Sequence, residues 1–175
     1  MVETFKKIKE FENYLVSDFG NVKKNKTGRI LKPGLGSNKY LSVVLTKSID
    51  KSRSTHNIHR LVVETFIQNT EKKKCVDHID NKRTNNKLSN LRWATYSQNE
   101  QNKGKSKKNT SGVKGVSFNN YLNKWHAYIN IDGIRVNLGC FENLEDAKQA
   151  RIIKVNEAFR AFTNKIEKMN KLLLI

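Results

Sequence analysis

The sequence predicts an α+β protein assembled from small modules, and three patterns along the chain say so. Short apolar runs separated by turn residues open it. A strand, a polar loop, a second strand and a helix start occupy the middle as a ββα core. Three segments of alternating apolar and polar residues, then a helical stretch, close it as a three-stranded antiparallel sheet packed on one helix. The length of 175 residues permits one or two ordinary domains. The pattern divides it further, at about 1–50, 51–104 and 105–164 with a tail at 165–175, into units that would each struggle to bury a large core alone.

Taken in order, Tyr14-Leu-Val, Ser17-Asp-Phe-Gly-Asn-Val, Gly28-Arg-Ile-Leu and Tyr40-Leu-Ser-Val-Val-Leu read as a small antiparallel sheet. His59-Arg-Leu-Val-Val-Glu-Thr-Phe66 reads as a helix with His59, Val62, Val63 and Phe66 on one face. A histidine on an apolar stripe needs only one hydrogen bond, which favours a packed His59 over a role behind the catalytic group. His56 sits in a polar approach segment with no specific role. Asp77 and His78 fall at the end of a strand and, being adjacent, point to opposite sides of it. Thr95 and Gln98 form a T-x-x-Q capping box that starts a helix just before Asn99.

In the last module, Asp132-Gly133 is a hairpin signal between two strands. Asn143 followed by Asp146 caps a helix running to about Phe162, with Val155, Ala158, Phe159 and Phe162 as its apolar stripe. Strand alternation turns Trp125, Ala127, Ile129, Val136 and Leu138 toward that helix. His126, Tyr128, Asn130, Arg135 and Asn137 are left outward.

A formal charge of +18 and a pI near 10 point to a polyanionic partner. Lysine and arginine are spread along the whole chain, which implies an extended binding surface rather than a basic tail. No apolar run approaches the ~18 residues of a membrane span, Leu172–Ile175 included, and no secretory signal opens the chain, so an intracellular protein is expected. Cys75 and Cys140 form no C-x-x-C pair, which argues against structural zinc. No Gly-rich phosphate loop and no serine or cysteine nucleophile constellation emerges.

Asp77 and His78, then Asn90 twelve positions after His78 and Asn99 nine later, stand within Val-Asp-His and Asn-Leu-Arg-Trp contexts. That arrangement resembles the HNH nucleases of the homing-endonuclease branch. The run from Ile8 to Ser17 through Gly20-Asn-Val and Gly28-Arg-Ile-Leu-Lys resembles the modular segment that precedes such domains. The resemblance implies His78 as general base, for which an imidazole of pKa about 6.5 is suited, and Asn90 as the residue that fixes it. It implies Asp77 and Asn99 as oxygen ligands of one divalent metal, Mg2+ or Mn2+. Gly-Val, Lys-Trp, Leu-Gly-x-Phe and Glu-Asp-Ala across residues 111–162 resemble the DNA-binding domain of the plant APETALA and ethylene-response families, whose sheet enters the major groove. By that likeness Lys114, Ser117, Asn119, Tyr128, Asn130, Arg135 and Asn137, with His126, are the candidate DNA contacts.

The expectation is therefore a site-specific, metal-dependent endonuclease acting on double-stranded DNA with no obligatory protein partner. One centre per chain implies nicking by a monomer, and a double-strand break would need a dimer or sequential action. The flanking modules would position the central one, and removing 111–175 would leave the Asp77–Asn99 chemistry intact. A DNA-binding regulator with a decayed core is the alternative; a cationic RNA-binding protein is a third reading, without a recognisable RNA module.

Overall fold

The structure, a computed structural model, describes residues 2–107 and 109–159. The chain divides into two compact units, Met1–Ala94 and Thr95–Ile175, rather than along the three-module lines of the sequence.

In the first unit β1 (Phe5–Ile8), β2 (Phe11–Ser17) and β3 (Val22–Lys24) form one antiparallel sheet. A second contains β4 (Gly34–Leu35), β5 (Leu41–Thr46) and β6 (Arg53–Asn57), and runs directly into α1 (Ile58–Phe66). The pair β7 (Cys75–His78) and β8 (Leu91–Ala94) follows, joined by a loop that ends in a single 3-10 turn, Leu88–Asn90. The strand expected around Gly28–Leu31 contracts to one bridge, Lys23 to Ile30. Gly28 turns the chain at φ +67°, and Pro33, which has no N–H to donate, follows shortly after.

These pieces are not separate cores. Phe11, Tyr14 and Val16 from β2, Val43 and Leu45 from β5, Leu61, Val62 and Val63 from α1, and Val76 and Leu91 from β7 and β8 bury into one cluster. The modular segment thereby supplies the hydrophobic area that the short β7–β8 pair lacks. The turn after β2 also clasps the β7–β8 loop: the Leu88 N–H donates to the Asp18 carbonyl at 2.7 Å. Gly20 closes the clasp. It sits at φ +87°, and a Cβ there would meet the Asn86 Cβ at 2.7 Å.

The second unit opens with α2 (Tyr96–Asn102), followed by β9 (Val116–Asn119), β10 (Lys124–Ile131), β11 (Ile134–Phe141) and α3 (Leu144–Phe159). The sheet order is β11-β10-β9, with β10 central. Asp132 and Gly133 both adopt positive φ, 49° and 86°, as a tight hairpin between twisted strands requires. Asn143 caps α3, its Oδ1 accepting from the Asp146 N–H at 2.8 Å. Ala127 and Ile129 are fully buried, and Trp125, Val136 and Leu138 pack beside them. On α3 the buried stripe runs through Ile152, Val155 and Phe159, whereas Ala158, expected inside, is exposed. Phe162 and Leu172–Ile175 lie outside the described residues.

Gly20→Ala is expected to lower stability by about 1–3 kcal/mol, from left-handed strain alone and more if the Asn86 contact cannot relax. Urea denaturation measures this; an unchanged midpoint would mean that the clasp contributes nothing.

Candidate active site

The register of β7 and β8 builds the site. Asp77 stands opposite Arg92 and His78 opposite Leu91. Residues directly opposite in an antiparallel pair share a face, so the Arg92 Nε reaches the Asp77 Oδ2 at 2.7 Å. Asp77 is only 2 % exposed and Arg92 is half-buried, so this is a partly buried ion pair. Alternation sends His78 to the other face, where its ring lies 5.1 Å from that of His59 on α1 and 5.8 Å from that of Tyr40, just before β5. Tyr40 and His59 are themselves 4.6 Å apart, centroid to centroid.

The His78 Nε2 lies 3.2 Å from the Asn86 Oδ1. An amide oxygen only accepts, so Nε2 carries the proton and the basic lone pair is on Nδ1. Burial lowers the His78 pKa below its ordinary 6.5, outweighing the Asn86 bond and the charges of Asp80 and Asp77, which act to raise it. His59 is pushed to about 3, by burial first and then by His78 and Arg60. Both rings are uncharged at neutral pH. His59 is packed, as expected from its stripe, but its Nδ1 has no hydrogen-bond partner among the described residues and its ring touches that of His78.

Asn90 bonds across the loop. Its side chain closes the loop, Oδ1 accepting from the Asp80 N–H at 3.0 Å and Nδ2 donating to the Asp80 Oδ1 and the Asn85 carbonyl, both at 2.9 Å. Its own carbonyl accepts from the Ile79 N–H at 2.9 Å. The amide against the His78 ring is that of Asn86. Asn86, Arg92, Asp80 and Tyr40 are thus site residues that the sequence reading passed over. Arg92 was recoverable from strand register; Asn86 looked like part of a polar turn but is 4 % exposed. Burial opposes ionisation of Asp80, yet bonds from Asn85, the Lys82 N–H and Asn90, with the Lys82 charge, hold its pKa below the ordinary carboxylate value.

Asn99 lies on α2, behind the expected capping box. The Gln98 N–H donates to the Thr95 Oγ1 at 3.2 Å and the Thr95 N–H to the Gln98 Oε1 at 2.9 Å. Asp77 and Asn99 therefore belong to different compact units. Among the described residues no group of three or more His, Cys, Asp or Glu side chains gathers as a metal site. A carboxylate and a carboxamide are hard oxygen donors, a set that fits Mg2+ or Mn2+ and not thiolate-bound zinc.

On the sheet, Asn130, Arg135 and Asn137 are exposed and Tyr128 is half-buried. The Arg135 guanidinium stacks 4.2 Å above the Tyr128 ring, and the His126 Nε2 lies 3.0 Å from the Asn137 Oδ1. Ser117, opposite His126, is exposed. Asn119 is engaged in its turn, its Oδ1 accepting from the Tyr121 and Leu122 N–H groups at 3.0 and 3.1 Å. Lys114 does not join this surface, because its Nζ donates to the Glu100 carbonyl of α2.

Comparison with known proteins finds two family matches along the chain. Residues 3–46 match the NUMOD4 motif and residues 56–101 the HNH endonuclease family. An uncharacterized HNH endonuclease of Acanthamoeba polyphaga mimivirus is 33% identical over 147 residues, covering 84% of this chain and 40% of that protein. DNA endonuclease I-HmuI of Bacillus phage SP01 is 36% identical over 99 residues, covering 56% of each chain. A solved structure describing DNA binding and cleavage by the HNH homing endonuclease I-HmuI aligns with a TM-score of 0.52, over 57% of this chain and 56% of that one. The chain spans 40% and 56% of these two curated relatives.

Two outcomes follow from the geometry. Arg92→Ala removes the guanidinium beside the buried Asp77 carboxylate, so stability should fall, by up to about 3–5 kcal/mol, while Asp77→Leu combined with Arg92→Met should recover most of it. Urea unfolding of the three proteins checks this, and an Arg92→Ala protein as stable as the parent would refute the pair's importance. The second concerns acid. The folded His59 pKa of about 3 lies below the ordinary 6.5, so the unfolded chain takes up a proton that the folded ring refuses, and stability falls as pH drops from 6.5 toward 3. His59→Leu should lose less melting temperature than the parent between about pH 7 and pH 5; an identical loss would place His59 outside the acid response.

Proposed function

We propose that this chain, which carries a NUMOD4 motif and an HNH endonuclease domain, is a metal-dependent endonuclease of double-stranded DNA with His78 as its general base. The observation that carries the proposal is a buried imidazole whose proton is held on Nε2 by Asn86, with its pKa lowered by burial. Such a ring is uncharged at neutral pH and can take a proton from an attacking water through Nδ1. Tyr40 and His59 wall the ring, and Asn90 holds the loop that carries Asn86.

Asp77 and Asn99 are the residues that would hold one Mg2+ or Mn2+. When bound, that ion supplies positive charge toward the leaving oxygen. Arg92 fixes the Asp77 carboxylate from one side. The C-terminal sheet, by its likeness to the APETALA type, is proposed to read DNA through Tyr128, Asn130, Arg135 and Asn137, with Ser117 on the neighbouring strand. The Arg135–Tyr128 stack and the His126–Asn137 bond support this reading, because they order the outward face before any ligand arrives. The net charge of +18 supports a polyanionic partner.

His78→Ala should slow single-turnover cleavage of plasmid DNA by ~100-fold to ~10,000-fold while DNA affinity stays near that of the parent. Excess chelator should stop the parent. Cleavage by His78→Ala at the parental rate, or full parental activity in chelator, would overturn the mechanism. Tight duplex binding with no cleavage under any divalent ion would favour a DNA-binding regulator instead.

A further inference from the structure

The helix that carries Asn99 spans only seven residues, Tyr96–Asn102. Isolated helices shorter than about 12–15 residues are marginal in water, so its order must come from what it packs against. Its partners within the second unit are specific. The Ser97 Oγ accepts from the Asp132 N–H at 3.0 Å, in the β10–β11 turn. The Gln101 Nε2 donates to the Asn130 carbonyl at 3.1 Å, near the end of β10. The Gln101 Oε1 accepts from the Arg151 guanidinium of α3 at 3.0 Å, and the Glu100 carbonyl accepts from the Lys114 Nζ.

Two features make this a built seat and not a surface contact. Gln101 and Arg151 are 3 % and 2 % exposed, so both polar side chains are fully desolvated where they meet. Gly115 clears the route, since a Cβ there would stand 2.4 Å from the Tyr128 carbonyl and 2.8 Å from the Arg151 Nε. Ser97 and Gln101 are four apart and share a helix face, whereas Asn99 lies about 200° round the helix from each. The seat therefore grips α2 on one side and leaves Asn99 on the other.

We propose that the β10–β11 hairpin tip and Arg151 hold α2 in place, making Ser97, Gln101 and Arg151 positioning residues for Asn99. The same hairpin presents Asn130 and Arg135 outward, so the surface offered to DNA and the helix bearing Asn99 share one short stretch of backbone. Reading and cutting are then coupled, not separable as the sequence alone suggested. This rests on the proposed role of Asn99 for its catalytic consequence, but not for its structural content.

Amide hydrogen exchange on the full chain, without metal or DNA, tests the structural content for the parent, Gln101→Leu and Arg151→Met. Exchange across residues 99–102 should accelerate by at least ~10-fold in both variants, while β7, β8, β10 and β11 keep parental protection. Should Arg151→Met also loosen the sheet, Gln101→Leu, which lies on α2 itself, decides the matter. Unchanged exchange in α2 of Gln101→Leu overturns the proposal, and so does equal loss in α2 and the sheet, which would make Gln101 a part of the domain core. Gln101→Glu, which still offers Arg151 an acceptor, should restore part of the protection. In single-turnover cleavage with duplex binding kept, Gln101→Leu should fall by ~10-fold or more. Loosened α2 with an unchanged rate would contradict the role of Asn99 while leaving the seat standing; a parent that cleaves no DNA would defeat the functional reading alone.

Discussion

In the β7–β8 ladder a slip of one residue would exchange the faces of Asp77 and His78, sending the carboxylate among the rings of Tyr40 and His59 and the imidazole toward Arg92. The site depends on that register. It is held by Val76 and Leu91 in the shared core, by the Ile79–Asn90 backbone bond at the start of the loop, and by the clasp of Gly20 on Asn86. The ionisable groups around the β7–β8 loop are then dealt with locally. Asp77 has Arg92, Asp80 collects hydrogen bonds from the loop, and the two histidines stay uncharged. Burial here does not concentrate net charge, which would be costly, but fixes protonation.

The charge of the chain works on a different scale. The excess of 18 positive charges is carried by side chains spread over the whole sequence, several of them resting their ammonium groups on rings, as Lys23 does on Phe5 and Lys87 on Phe19. Such a field attracts a polyanion from a distance without perturbing a charge-balanced interior. Attraction belongs to the surface, the proposed proton transfer to the pocket. In the second unit the hairpin that exposes Arg135 also carries the Asn130 carbonyl that receives Gln101.

What the sequence made legible was local. Period-two alternation placed Ala127 and Ile129 inward and Arg135 and Asn137 outward, Asp132-Gly133 turned the hairpin, and Thr95 with Gln98 capped α2 as read. What stayed illegible depended on contacts distant along the chain. Nothing within the loop distinguishes Asn86 from Asn90, and it is the approach of Gly20, from the turn after β2, that buries Asn86 against the ring. Lys114 reads as a sheet residue until α2 is seen beside it. Packing across the expected modules was illegible for the same reason: β2, α1 and β7 bury into one another, and α2 packs with the sheet that follows it.

The pH dependence of single-turnover DNA cleavage bears most directly on the claim that burial keeps His78 ready as a base. Because its pKa lies below the ordinary 6.5, the reactive neutral form persists as pH falls through that value. The half-maximal rate should therefore fall below pH 6.5. A half-maximal rate at or above pH 6.5 would contradict a base buried in this way.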